Sequence, residues 1–112
     1  MKDWKEELIT EFERAEAARA RGNEGQARVC ARRAAGIAAR EYLSRRGEIL
    51  RTPSAYDLLN VLKEDPQFPQ DLKRIAEHLT LRVNKEFKLP LDVDLIAEAR
   101  KFCEELSKLN GP

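Results

Sequence analysis

Ala27, Ala31, Ala34, Ala38 and Tyr42 recur at steps of three and four residues. At that spacing they share one face of a helix, and the face is slim enough to let a neighbouring helix approach closely. The whole stretch reads GQARVCARRAAGIAAREYLSRRGEILR over 25–51. Its other faces carry Arg28, Arg32, Arg33, Arg40, Arg45, Arg46 and Arg51 against only Glu41 and Glu48, a local net charge of +5. The flanks are mildly acidic, −2 over 1–24 and −2 over 52–112, so the chain as a whole is only +1. No global field pulls in nucleic acid or membrane; any such attraction must come from this segment.

The rest of the chain patterns as further helices. Asp3 caps a first helix to about Arg21, with Trp4, Leu8, Phe12 and Ala15 as its stripe. Gly22-Asn23-Glu24-Gly25 is a turn tight enough to make the next helix, about Glu24 to Arg46, an antiparallel neighbour. Gly36 inside that helix costs about 1 kcal/mol relative to Ala, which close backbone packing would offset. Thr52-Pro53 suits a third helix start, Thr as cap and Pro in the first turn, with Tyr56, Leu58, Leu59, Val61 and Leu62 as its apolar face. A fourth helix starts near Pro69 or Gln70, carries Leu72, Ile75, Ala76, Leu79 and Val83, and continues to about Phe87. Asp92 caps a last helix to about Leu109, with Leu95, Ile96, Ala99, Phe102, Cys103 and Leu106 facing inward.

No segment alternates with period two. The expected fold is therefore all-α: one domain over 1–112, an up-and-down bundle of about five helices. At 112 residues such a domain buries enough surface to stand without metal or disulfide staples. Cys30 and Cys103 both fall on helical patterns and read as small buried hydrophobes in a reducing compartment. The acidic amphipathic N-terminus argues against a secretory address, and no apolar run spans a bilayer; the expected location is cytoplasmic.

The chemistry-bearing residues are few. One His and two distant Cys make no recognisable metal site, and no glycine-rich loop cradles a phosphate, so neither metal nor cofactor is expected. His78 alone titrates intrinsically near neutrality, and Arg74 lies one turn before it. The functional reading pairs a general acid/base with a phosphate-binding arginine, and the alternative is a half-exposed His on a polar face beside Asp71 and Glu77. For the arginine segment, rigid guanidinium forks suit phosphate, with Arg28 and Arg32 one turn apart and Arg33 and Arg40 two turns apart. The alternatives are internal pairing with glutamates of the first and last helices, or recruitment into a protein interface.

Across nearly its whole length the chain resembles one family. AEAARARGNEGQARVCARRAAGIAAREYL is followed by TPSAYDLLNVL, then PQDLKRIAEHL, then DVDLIAEARKF. This order is similar to the HEPN domain, a prokaryotic helical domain often paired with a minimal nucleotidyltransferase. The resemblance implies a bundle of four to five helices, frequent homodimers and, in active members, metal-independent RNA cleavage. It also implies a signature of an arginine followed, four to six residues on, by a histidine before the final helix. Arg82 occupies the arginine's place, but no His follows it, and His78 precedes it. The expected function is thus a non-catalytic HEPN-like binding module. It would contact RNA, another polyanion or a partner protein through Arg82, Arg33, Arg40, Arg28 and Arg32. Two alternatives stand beside it: an RNase with a degenerate site, Arg74, His78 and Arg82 sharing one helix and paired across a two-fold axis, and an assembly partner of a nucleotidyltransferase.

Overall fold

The computed structural model describes residues 3–48, 52, 54–81 and 93–109. Five helices and no strand occur among them: α1 (Trp4–Ala20), α2 (Glu24–Arg45), α3 (Ala55–Glu64), α4 (Gln70–Leu79) and α5 (Leu95–Leu109). They form the all-α up-and-down bundle that the periodicities predict.

Helix α2 is the hub, packing against each of the other four. The cause is the slim face: Ala27, Ala31, Ala34, Ala35 and Ala39 are completely inaccessible, and Ala38 and Tyr42 are buried beside them. Short side chains bring the axes close, so most of the larger ones that fill the core come from outside α2, among them Phe102, Leu58, Leu59, Leu62, Leu72, Leu79 and Leu106. Gly36 marks the tightest approach. A Cβ there would lie 2.4 Å from Ala55 Cβ and 2.8 Å from Ala55 Cα, so its missing side chain is what lets α3 start against α2. Phe68, between α3 and α4, locks the far side, its ring edge-on to Tyr42 at 5.6 Å and tilted to Phe102 at 6.2 Å.

The hairpin between α1 and α2 is closed by the expected turn. Gly22 adopts φ +77, with Asn23 N donating to Ala18 O and Gly22 N to Arg19 O, the two bonds of a Schellman motif. Asn23 then caps α2 through Gln26 N, and Gly47 at φ +80 ends that helix with the same pair of bonds, to Leu43 O and Ser44 O.

Three expected boundaries move. The cap of α3 is Ser54, whose Oγ accepts from Asp57 N; Thr52 instead accepts from Ser54 N and donates to Asp57 Oδ2. The α5 cap is Asp94, accepting from Ile96 N and Ala97 N, while Asp92 lies outside the described residues. Helix α4 ends at Leu79 rather than Phe87. Thr80 N bonds back to Ala76 O and Glu77 O and Leu81 N to His78 O, tightening the last turn. The Thr80 hydroxyl donates to the Ala76 carbonyl at 2.9 Å and accepts from Lys63 Nζ, which fixes the stop. Val83 and Phe87 lie outside the described residues. Within α3, Val61 is half-exposed rather than core and Tyr56 is half-buried, as is Trp4 at the start of α1.

Candidate functional site

The central position of α2 leaves it little open surface. Between Ala27 and Leu43 only two side chains are exposed, Arg33 and Arg40. They lie seven residues apart on one face, about 10 Å along the axis, with half-buried Ile37 between them. Both line a cleft of about 390 Å³ with Glu7 and Glu11 of α1, Gly36 and Ile37 of α2, and Ser54 and Ala55 at the start of α3. The sequence pairs these two arginines by spacing; the cleft that joins them to α1 and α3 is visible only in the fold.

Charges around this cleft are unequally satisfied. Glu11 is buried, with Oε1 accepting from Arg14 Nη1 at 3.1 Å and Oε2 without a partner among the described residues. Arg33 makes no hydrogen bond or ion pair among those residues, whereas Arg40 is engaged by a neighbouring group. The floor of the cleft is therefore acidic on its α1 side and its outer edge is cationic. A phosphate-bearing ligand would be drawn to that edge and kept off the floor, because carboxylates repel it.

The other arginines of the segment are spent differently. Arg45 Nε bonds Glu41 at 2.8 Å within α2, and Arg46 donates to Tyr42 Oη at 2.7 Å with its guanidinium 4.9 Å from that ring centre. Arg28 and Arg32 are half-buried, and Arg32 is engaged. Other residues also make ion pairs between helices: Arg19 with Glu24 and Asp94, Arg100 with Glu16, and His78 with Glu98. Arg28, Arg33, Arg45 and Arg46 are thus not neutralised by α1 or α5. Arg51 and Arg82 lie outside the described residues.

His78 and Arg74 sit on α4. Arg74 is exposed, but His78 is turned against α5, its Nδ1 2.8 Å from Glu98 Oε1 and 3.0 Å from Oε2. A carboxylate only accepts, so Nδ1 carries the proton and Nε2 is the ring's remaining polar atom. The partner is Glu98, twenty residues on, not Asp71 or Glu77. Arg74 and His78 share α4, which ends at Leu79, and Arg82 lies outside the described residues.

Neither cysteine is poised as a nucleophile. Burial pushes the Cys103 thiol up to about 12, against a smaller lowering by Arg100, so it is a thiol at neutral pH. Cys103 Sγ donates to the Ala34 carbonyl at 3.7 Å, and Cys30 is buried within the α1–α2 contact. Among the described residues no group of three or more His, Cys, Asp or Glu could hold a metal ion, and no helix is long and apolar enough to cross a membrane. At the α5 end, Asp94 is lowered by the Ala97 backbone N–H and by Arg19, whose own guanidinium is held firmly protonated by Glu24 and Asp94. That cluster joins α1, α2 and α5 and is structural. Compared with known proteins, the chain matches no family model, no curated protein and no solved structure.

Proposed function

We propose that the protein is a non-catalytic HEPN-like binding module that holds RNA against the outer face of α2. The observation that carries this reading is the exposure pattern: along the central length of α2 the two exposed side chains are both arginines, the others being buried or half-buried, and they rim one cleft. A largely buried helix whose two exposed central positions are both guanidinium groups presents positive charge there. Arg33 has no internal carboxylate to release before it meets a phosphate, so its binding energy is not offset by a broken ion pair.

The reading is non-catalytic because the resembled family's arginine-then-histidine signature lacks its histidine, none following Arg82, and the one imidazole, bonded to Glu98, is not among the residues that line the arginine cleft. Salt-titrated binding of a single-stranded RNA tests it. Neutralising two phosphates contributes about 1.4 to the slope of log affinity against log salt. Arg33→Ala/Arg40→Ala is expected to lower affinity for all sequences alike and to flatten the slope by roughly that amount. Equal affinity and slope in the double variant would remove the proposal.

A further inference from the structure

Phosphate binding by Arg33 and Arg40 leaves one group in their cleft unexplained. Glu11 is only 9% exposed, yet it lines that cleft, and Arg14 pairs with its Oε1 alone. Oε2 is buried with no hydrogen-bond partner among the described residues, and Glu7, one turn earlier, adds a second carboxyl to the same wall. A buried carboxylate oxygen left unpaired costs free energy, and a donor brought by a ligand offsets that cost on binding. The terminal torsion of glutamate is soft, so a turn of the carboxyl group can present either oxygen to the cleft.

The cleft narrows the ligand further. Its arginines repel a simple cation and its carboxyls repel a bare anion. Between them lie half-buried Ile37 and Ala55 and the bare backbone of Gly36, an apolar strip. A nucleotide answers all three: phosphate at the rim, the flat base on the apolar strip, and base N–H groups toward the carboxyl. Among the four RNA bases, guanine alone sets two donors side by side, N1–H and the N2 amine. Adenine and cytosine place a ring acceptor beside their amine, and uracil flanks its one N–H with two carbonyls. Those acceptors face a carboxylate unfavourably, since an ionised carboxyl only accepts.

We infer that this cleft is a guanine-selective subsite, in which Glu11 accepts from N1–H and N2–H of an unstacked guanine while Arg33 and Arg40 hold its neighbouring phosphates. Glu11 supplies the base preference; the assignment rests on the RNA-binding reading of the arginines, and the test separates the two. Fluorescence anisotropy of the full chain is measured with a short oligouridine and with the same strand carrying a central guanosine, adenosine, cytidine or inosine. The guanosine strand is expected to bind roughly tenfold tighter than the uridine, adenosine and cytidine strands, in the range of a bidentate base contact. Inosine, which keeps N1–H but lacks the amine, should fall between. Glu11→Gln should erase the preference while leaving oligouridine affinity equal or higher, because a negative charge near the phosphates is gone. Arg33→Ala/Arg40→Ala should weaken every strand and keep the ratio. The inosine strand probes the same contact in the unaltered protein, whatever the variant's stability. Binding without a guanosine preference, inosine equal to guanosine, or a preference that survives Glu11→Gln would overturn the guanine assignment and leave the RNA reading standing. Failure of every strand to bind would overturn both.

Discussion

Gly36 decides how close α3 comes to α2, and a single methyl group measures that closeness. In an exposed helix, Gly→Ala gains about 1 kcal/mol from propensity. Here the new Cβ would meet Ala55, including its backbone Cα at 2.8 Å, and backbone does not swing away as a long side chain would. Overpacking of this kind costs roughly 1–3 kcal/mol. Net of that gain, Gly36→Ala is expected to lower stability by up to about 2 kcal/mol in urea unfolding at an unchanged denaturant slope. Gly25→Ala supplies the contrast, because its Cβ would meet nothing nearer than Asn23 Oδ1 at 3.8 Å, so it should be neutral or stabilising. Equal effects at the two positions would refute the account of Gly36. The sequence raises the reason for this glycine but not the residue it accommodates, since Ala55 belongs to another helix.

Short elements depend on contacts they do not contain. Helix α4 has ten residues, below the roughly 12–15 at which an isolated helix becomes more than marginal. It is held by its buried Leu72, Ile75, Ala76 and Leu79 and by the His78–Glu98 bond to α5, half-shielded from water. A charge-assisted hydrogen bond in such a setting contributes about 1.5–3 kcal/mol. Glu98→Ala is expected to cost on the order of 1.5 kcal/mol, and Glu98→Gln less, because an amide oxygen still accepts from Nδ1. In a double-mutant cycle with His78→Ala, a coupling of about 1 kcal/mol should appear in urea unfolding; additivity within about 0.3 kcal/mol would mean the pair does not act together. This scale also marks where the sequence was readable. Stripes set by period 3.6 were legible: the inward faces of α2 and α5 are buried residue for residue as their spacing implies. Ends were less so, because Thr52 and Ser54, or Asp92 and Asp94, are equivalent capping residues and only tertiary context chooses between them. The site divides the same way. Arg33 and Arg40 follow from spacing on one helix, whereas Glu7, Glu11 and Ser54 come to their cleft, and Glu98 to His78, only through folding.

At the scale of the molecule, the bundle is organised around one buried helix rather than around a shared central cavity. Helices α1 and α5 pack on α2 along long faces, and α3 and α4 are ten-residue pieces laid over the remaining side and against one another. Six of the ten buried residues of α2 are alanine and a seventh is glycine, so most of its contacts are backbone-close approaches that are lost as a whole when a neighbour departs. Opening α3 and α4 exposes the leucines that they bury but leaves the α1–α2 hairpin and its α5 contact in place. Opening α2 strips every other helix of its contact with the hub and leaves only the α3–α4, α4–α5 and α1–α5 contacts. Native-state hydrogen exchange should therefore resolve two levels. Amides of Ala31 to Ala39 are expected to exchange only through global unfolding, with the free energy and urea dependence of the whole domain. Amides of α3 and α4 should exchange at lower free energy and with a smaller urea dependence, as one unit. A single level shared by all five helices would show instead that the short helices are integral to the core around α2.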